Sequence, residues 1–120
     1  MLFRSAYARL GLPFERALTV VATVVSVSPK GWAVADVGLK SLGMDHGNPE
    51  VDGCGVFFCS DEHTTVLPEG DTRLRVGDRV RVTPAHVDPT IAYHEAMHLA
   101  AGPEPDAPIL ETWAVDLRGW

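Results

Sequence analysis

Turn signals recur roughly every 8 to 12 residues along this chain, and that spacing constrains the fold more than any other feature. Eleven glycines and nine prolines are spread over 120 residues, leaving little room for a long helix. The segments between them are rich in Val and Thr, which suit a pleated, half-buried surface. Residues 17–28 read as a strand, the Pro29-Lys30-Gly31 step as a tight turn, and Trp32 to Asp36 as the returning strand of a hairpin. Val37 to Pro49 has loop composition with one helical turn around Leu39 to Leu42. Val51 to Cys59 reads as one bulged strand, and Glu62 to Leu67 as another. Leu74 to Thr83 alternates around a Gly77-Asp78 turn, and two last strands, Glu95 to Ala101 and Ile109 to Asp116, flank a turn at Gly102 to Pro108. The pattern predicts an all-β chain, a small β-barrel of about seven short strands with one short helical turn. Residues 1–16 read as a lead-in segment and 17–120 as one domain.

Apolar residues make up 46% of the chain, enough for a packed core. The net charge of −6 argues against a nucleic-acid partner, whose phosphates call for a basic face, and against an anionic membrane surface. No apolar run reaches the roughly 18 residues of a membrane span, and the first dozen residues lack the apolar block and cleavage site of a signal peptide. The chain reads as cytoplasmic. Cys54 and Cys59, five apart in one expected strand, would point to opposite faces and form no disulfide.

Four groups of residues carry chemistry. His86 and Asp88 follow a strand, and in extended backbone positions i and i+2 share a side, so an imidazole and a carboxylate can converge on one divalent cation. The same spacing also fits an ordinary His–Asp hydrogen bond at a strand end. Asp88-Pro89-Thr90 has the character of an N-cap followed by a first helical position. His94-Glu95-Ala96-Met97-His98 matches HExxH, in which two histidines one helical turn apart bind zinc while the glutamate activates water. If this stretch is a strand, His94 and His98 stand about 13 Å apart, too far for one ion. A third group is the glycine-punctuated loop of Asp36-Val37-Gly38-Leu39-Lys40 and Asp45-His46-Gly47, and a fourth is Asp61-Glu62-His63. Taken by spacing alone, the first of these is a solvated connection and the second a polar strand start.

Five of these segments, in order, resemble the C-terminal domain of the D-threonine aldolase and D-serine dehydratase family. They are the opening strand Ala17 to Ser26, the loop Asp36 to Leu42 with Asp45-His46-Gly47, the Glu62-His63 step, Gly77 to Val80 leading into Pro84 to Thr90, and the closing Trp113 to Gly119. The resemblance implies a fold-type III pyridoxal-phosphate lyase in which an N-terminal barrel carries the coenzyme and this β-domain carries a divalent metal: manganese, zinc or magnesium. It implies His86 and Asp88 as the metal ligands, with the oxygen ligand favouring a harder ion and the aldolase-like side of the family. His63 is a further candidate for the same site, without an assigned role. The implied substrate is a D-3-hydroxy amino acid, whose β-hydroxyl the metal would polarise.

The lysines, Lys30 and Lys40, match no barrel position, so no catalytic or cofactor-binding residue is assigned in this chain. Pyridoxal phosphate is expected only in the complete enzyme. The expected partner is an N-terminal barrel in the same or a separate chain, and without it the chain is expected to be catalytically incomplete; a homodimer is a further expectation. Two rival readings are a small zinc metallohydrolase using residues 94–98 and a non-catalytic β-barrel interaction module.

Overall fold

The structure, a computed structural model, describes residues 16–116 and Arg118. The expected lead-in therefore lies outside the described residues apart from Arg16. Among those residues the chain forms β1 (Val20–Val27), β2 (Ala33–Ala35), β3 (Glu50–Val51), β4 (Cys54–Cys59), β5 (Thr64–Pro68), β6 (Arg79–Thr83), a single short helix α1 (Val87–Ala92), β7 (Ala96–Ala100) and β8 (Ile109–Ala114). The first six strands close into a barrel in the order β1-β2-β5-β4-β3-β6, and β7 and β8 make a separate two-stranded sheet. The expected all-β barrel with one short helical element is the fold observed.

Alternation explains the closure. Ala22 and Val24 of β1, Ala33 and Ala35 of β2, Val66 of β5, and Val80 and Val82 of β6 all point inward and are buried. These are small side chains because a barrel of six strands encloses less space than the eight-stranded kind, whose interior side chains just fill. Each fully buried valine contributes on the order of 1.5 kcal/mol. Val37 and Leu42, from the loop after β2, complete the same cluster and tie that loop to the core. No helix among the described residues is long and apolar enough to cross a membrane.

Two local expectations are corrected. Val51 to Cys59 is a hairpin and not one strand: Val51 pairs with Cys54 around Asp52-Gly53, where Gly53 takes φ 71°, a left-handed conformation that glycine adopts without steric cost. A bulge between Val56 and Phe58 also shifts the β4–β5 register, so that Cys54 lies opposite Pro68 and Cys59 opposite Thr64. Six residues of β4 thus pair along five of β5, and the two cysteines share a face instead of opposing faces. Both are free thiols.

Candidate functional site

Strand direction gathers the candidate segments. Strands β2 and β6 both run antiparallel to β1. Strand β4 is antiparallel to β5, which is itself antiparallel to β2. The chain therefore leaves β2, β4 and β6 at one end of the barrel. The loop 36–49, the turn 60–63 and the segment 84–94 all emerge there.

The loop after β2 is held by its own motif residues. The Asp36 carboxylate accepts from the Thr23 N–H at 2.7 Å, and the Asp36 N–H donates to the Thr23 carbonyl at 3.0 Å. Gly38 lies against the backbone of the next turn: a Cβ there would sit within 2.7 Å of the Asp61 carbonyl oxygen. That close approach lets the N–H groups of Leu39 and Lys40 donate to the carbonyls of Ser60 and Asp61, each at 3.0 Å. The Lys40 ammonium donates to Glu62 at 2.6 Å. The hydrogen bond and the charge of Lys40 hold the Glu62 carboxyl below its ordinary range, and Glu62 in turn raises Lys40. Lys40 is thus engaged with Glu62. His63 is exposed and lines an open depression of about 530 Å³ with Leu39, Lys40, Cys59, Ser60, Asp61 and Glu62.

Among the described residues, three polar side chains are buried: Thr64, His86 and Thr90. Thr64 donates to the Val37 carbonyl at 2.6 Å. Thr90 donates to the His86 carbonyl at 2.7 Å and accepts from the Gly43 N–H at 2.8 Å, a backbone bridge also joining Gly43 and His86. These bonds fasten the loop after β2 to α1 and bring its tip over His86. There the Asp45 carboxylate meets His86 Nδ1 at 2.8 and 2.7 Å. The His46 ring stands edge-on to that of His86, with centroids 4.4 Å apart. Ligand atoms of Asp45, His46 and His86 lie within 4.8 Å of one another. Burial raises the Asp45 carboxyl, but its hydrogen bond to His86, its own backbone hydrogen bond and the two nearby imidazoles lower it, and the net shift is downward.

His86 is 8% exposed, and among the described residues its Nε2 is buried without a hydrogen-bond partner. A buried polar atom left unsatisfied costs about 1–3 kcal/mol. A metal ion accepting the imidazole lone pair would remove that cost, so the donor set fits the divalent ion that the family implies.

Asp88 is exposed and lies in the first turn of α1, whose N-cap is His86 at φ −135°, ψ 116°. Asp88 is therefore not the N-cap, and the backbone is not extended through residue 88 as the same-side argument assumed. Pro89 allows the earlier start because any first-turn position lacks an intrahelical acceptor for its N–H. His94 to His98 run from the end of α1 into β7, with no helix beneath them. His94 Nε2 donates to the Ser41 carbonyl at 2.9 Å, while His98 Nδ1 lies 2.9 Å from the Thr112 hydroxyl. The helical face that a zinc-hydrolase motif requires is absent here. Asp45 is the residue that sequence reasoning did not connect to His86. Its loop stood out, but nothing in the sequence reveals contact between residues 41 positions apart.

The fold and this end of the barrel define a small β-domain that displays a carboxylate-bound histidine beside a glycine-locked loop. The family "Putative serine dehydratase domain" matches residues 17–100, and the chain belongs to that family. It is 33% identical over 113 residues to the D-threonine aldolase of Arthrobacter sp, covering 91% of this chain and 29% of that protein. It is 39% identical over 85 residues to the 3-hydroxy-D-aspartate aldolase of Paracoccus denitrificans, covering 68% and 22%. The crystal structure of D-threonine aldolase from Filomicrobium marinum superposes with a TM-score of 0.79 at 33% identity, over 89% of this chain and 29% of that one. D-threo-3-hydroxyaspartate dehydratase from Delftia sp. HT23 gives 0.67 at 29% identity, over 87% and 33%. The chain thus spans about a fifth to a third of the length of these relatives.

Proposed function

We propose that residues 17–120 form the metal-carrying β-domain of a pyridoxal-phosphate lyase acting on D-3-hydroxy amino acids. The observation that carries the reading is the buried, unpartnered Nε2 of His86, inside the segment that the family match covers. The family resemblance gives His86 a second ligand in Asp88, which stands exposed in the first turn of α1 two residues on. The metal, when bound, supplies Lewis acidity toward the substrate hydroxyl. The chain's own residues bind and orient it. His86 offers a fixed nitrogen, Asp88 a carboxylate, and the loop 36–47 a rigid wall.

The relatives named above share one substrate chemistry: D-threonine and the 3-hydroxyaspartates are amino acids with a hydroxyl on Cβ. Coenzyme and Schiff-base lysine belong to a barrel domain in the same or a separate chain, and turnover needs both parts. Exposed Phe57, Phe58, Leu110 and Trp113 supply apolar surface for that partner. Such surface would equally suit a non-catalytic interaction module. The orphaned imidazole nitrogen favours the lyase, because a pure docking module gains nothing from it.

Manganese titration of the 120-residue chain, followed by electron paramagnetic resonance, tests the reading. Binding is expected to vanish in His86→Ala and to weaken in Asp88→Asn. Mixing the chain with the product of a neighbouring reading frame that encodes the barrel should then give cleavage or dehydration of D-threonine or 3-hydroxy-D-aspartate. Manganese binding that survives His86→Ala would overturn the assignment.

A further inference from the structure

The group of Asp45, His46 and His86 could be taken for three ligands of one cation, but the Asp45–His86 contacts fit a hydrogen bond better. Two ligands on one divalent ion, each about 2.0–2.2 Å from it, lie about 2.8–3.1 Å apart in octahedral geometry and about 3.3–3.6 Å apart in tetrahedral geometry. Both Asp45 oxygens meet His86 Nδ1 at or just below the short end of that range, at 2.8 and 2.7 Å. Those are charge-assisted N–H···O distances. A hydrogen bond accounts for both contacts, and its proton belongs on Nδ1, since an ionised carboxylate has none to give.

A neutral imidazole has one N–H and one lone pair. With the proton fixed on Nδ1, the lone pair falls on Nε2, the atom that is buried and unpartnered. The His46 ring, edge-on at 4.4 Å, restricts rotation of the His86 ring, and Thr90 pins the His86 carbonyl to the helix at 2.7 Å. We infer that Asp45 is a positioning residue: its carboxylate holds His86 in the Nδ1–H tautomer and aims the Nε2 lone pair at the cation. His46 enters this arrangement as a wall beside the His86 ring. The inference rests on the metal reading above only for its consequence; the tautomer stands on the Asp45–His86 geometry alone.

The test separates the two. Long-range proton–nitrogen correlation spectra of the ¹⁵N-histidine-labelled chain near pH 8 report which nitrogen of His86 is protonated. The wild-type chain is expected to show the Nδ1–H form. Asp45→Ala should shift His86 toward the Nε2–H form or a mixture. Asp45→Asn, whose side-chain oxygen still accepts a hydrogen bond, should keep the Nδ1–H form. Manganese affinity, read from paramagnetic broadening of the His86 signals, should fall about 10–100-fold in Asp45→Ala, and less in Asp45→Asn. An Nε2–H tautomer in the wild-type chain, or a tautomer unchanged in folded Asp45→Ala, overturns the inference. If the tautomer behaves as stated but manganese broadens no His86 signal in any variant, the positioning role stands and the metal reading fails. His46→Ala should leave manganese broadening at His86 within a few-fold of wild type, and a loss as large as that of His86→Ala would make His46 a ligand and overturn the geometry argued here.

Discussion

Thr90 is the residue whose replacement reports most directly on how the site is held. It is 1% exposed, and its hydroxyl both donates to the His86 carbonyl at 2.7 Å and accepts from the Gly43 N–H at 2.8 Å. Thr90→Val keeps the shape and deletes both bonds. Each bond is worth about 1 kcal/mol net, and the Gly43 N–H, left without its partner, adds about 1–2 kcal/mol of unpaid desolvation. The sum is about 3 kcal/mol, against a total stability on the order of 5–15 kcal/mol. With a urea slope of about 1.5 kcal/mol/M, the midpoint should fall by about 2 M at unchanged slope. Thr90→Ser keeps the hydroxyl and loses one buried methyl, at a cost of about 1 kcal/mol. Urea unfolding followed by far-UV circular dichroism of the three chains decides the matter. A serine variant less stable than the valine variant would show that packing, not the two hydrogen bonds, secures the loop, and the account of how Asp45 reaches His86 would fail with it.

Three further outcomes follow from the same structure. Gly38→Ala forces a Cβ into the backbone of Ser60 and Asp61 and threatens the two hydrogen bonds made there. It should cost about 3–5 kcal/mol, whereas Gly47→Ala, with φ 108° and open space around the new atom, should cost about 1 kcal/mol; equal losses in thermal unfolding would refute the close-approach argument. Glu62 is held below its ordinary range by the hydrogen bond and charge of Lys40. The pair's small contribution is therefore present above the unfolded carboxyl value and is lost as pH falls through the folded one. Carbon-detected titration should show the Glu62 midpoint rising in Lys40→Ala, and an unmoved midpoint would mean that the ion pair does not form in solution. His98→Ala should change stability by no more than about 0.5 kcal/mol, as exposed positions do, and leave zinc affinity unaltered; loss of zinc there but not in His86→Ala would restore the zinc-hydrolase reading.

Much of this architecture could be read residue by residue. The Val- and Thr-rich run before Pro29-Lys30-Gly31 became β1 and the hairpin to β2, and the punctuation at Gly102 to Pro108 became the β7–β8 connection. The Asp52-Gly53 turn was present in the sequence as a hairpin signal but was masked by the apolar run around it. The bulge between Val56 and Phe58 had no sequence mark, and it alone reverses the parity that sets where the cysteines point. At the site, the loop and His86 stood out as separate signals. Their junction did not, because it depends on barrel closure, on the space left by Gly38, and on a threonine in the helix whose hydroxyl bonds backbone on both sides.

Barrel closure also explains why the chemistry sits at an edge. The buried interior is lined by alanines and valines, and the polar site groups lie on segments that leave the strands. The direction of β1 sends the exits of β2, β4 and β6 to a single end. Three segments distant in sequence are thereby brought together without a dedicated scaffold. Their backbones can be held tightly there only because the Gly38 and Gly43 positions, where an added Cβ would strike backbone or a proline ring, carry no side chain. The hairpin β7–β8 differs in kind. All six residues of β8 are exposed, and a two-stranded sheet without a covered face is marginal in water. The barrel end is tied down by backbone and side-chain hydrogen bonds, whereas the hairpin has little covered surface of its own.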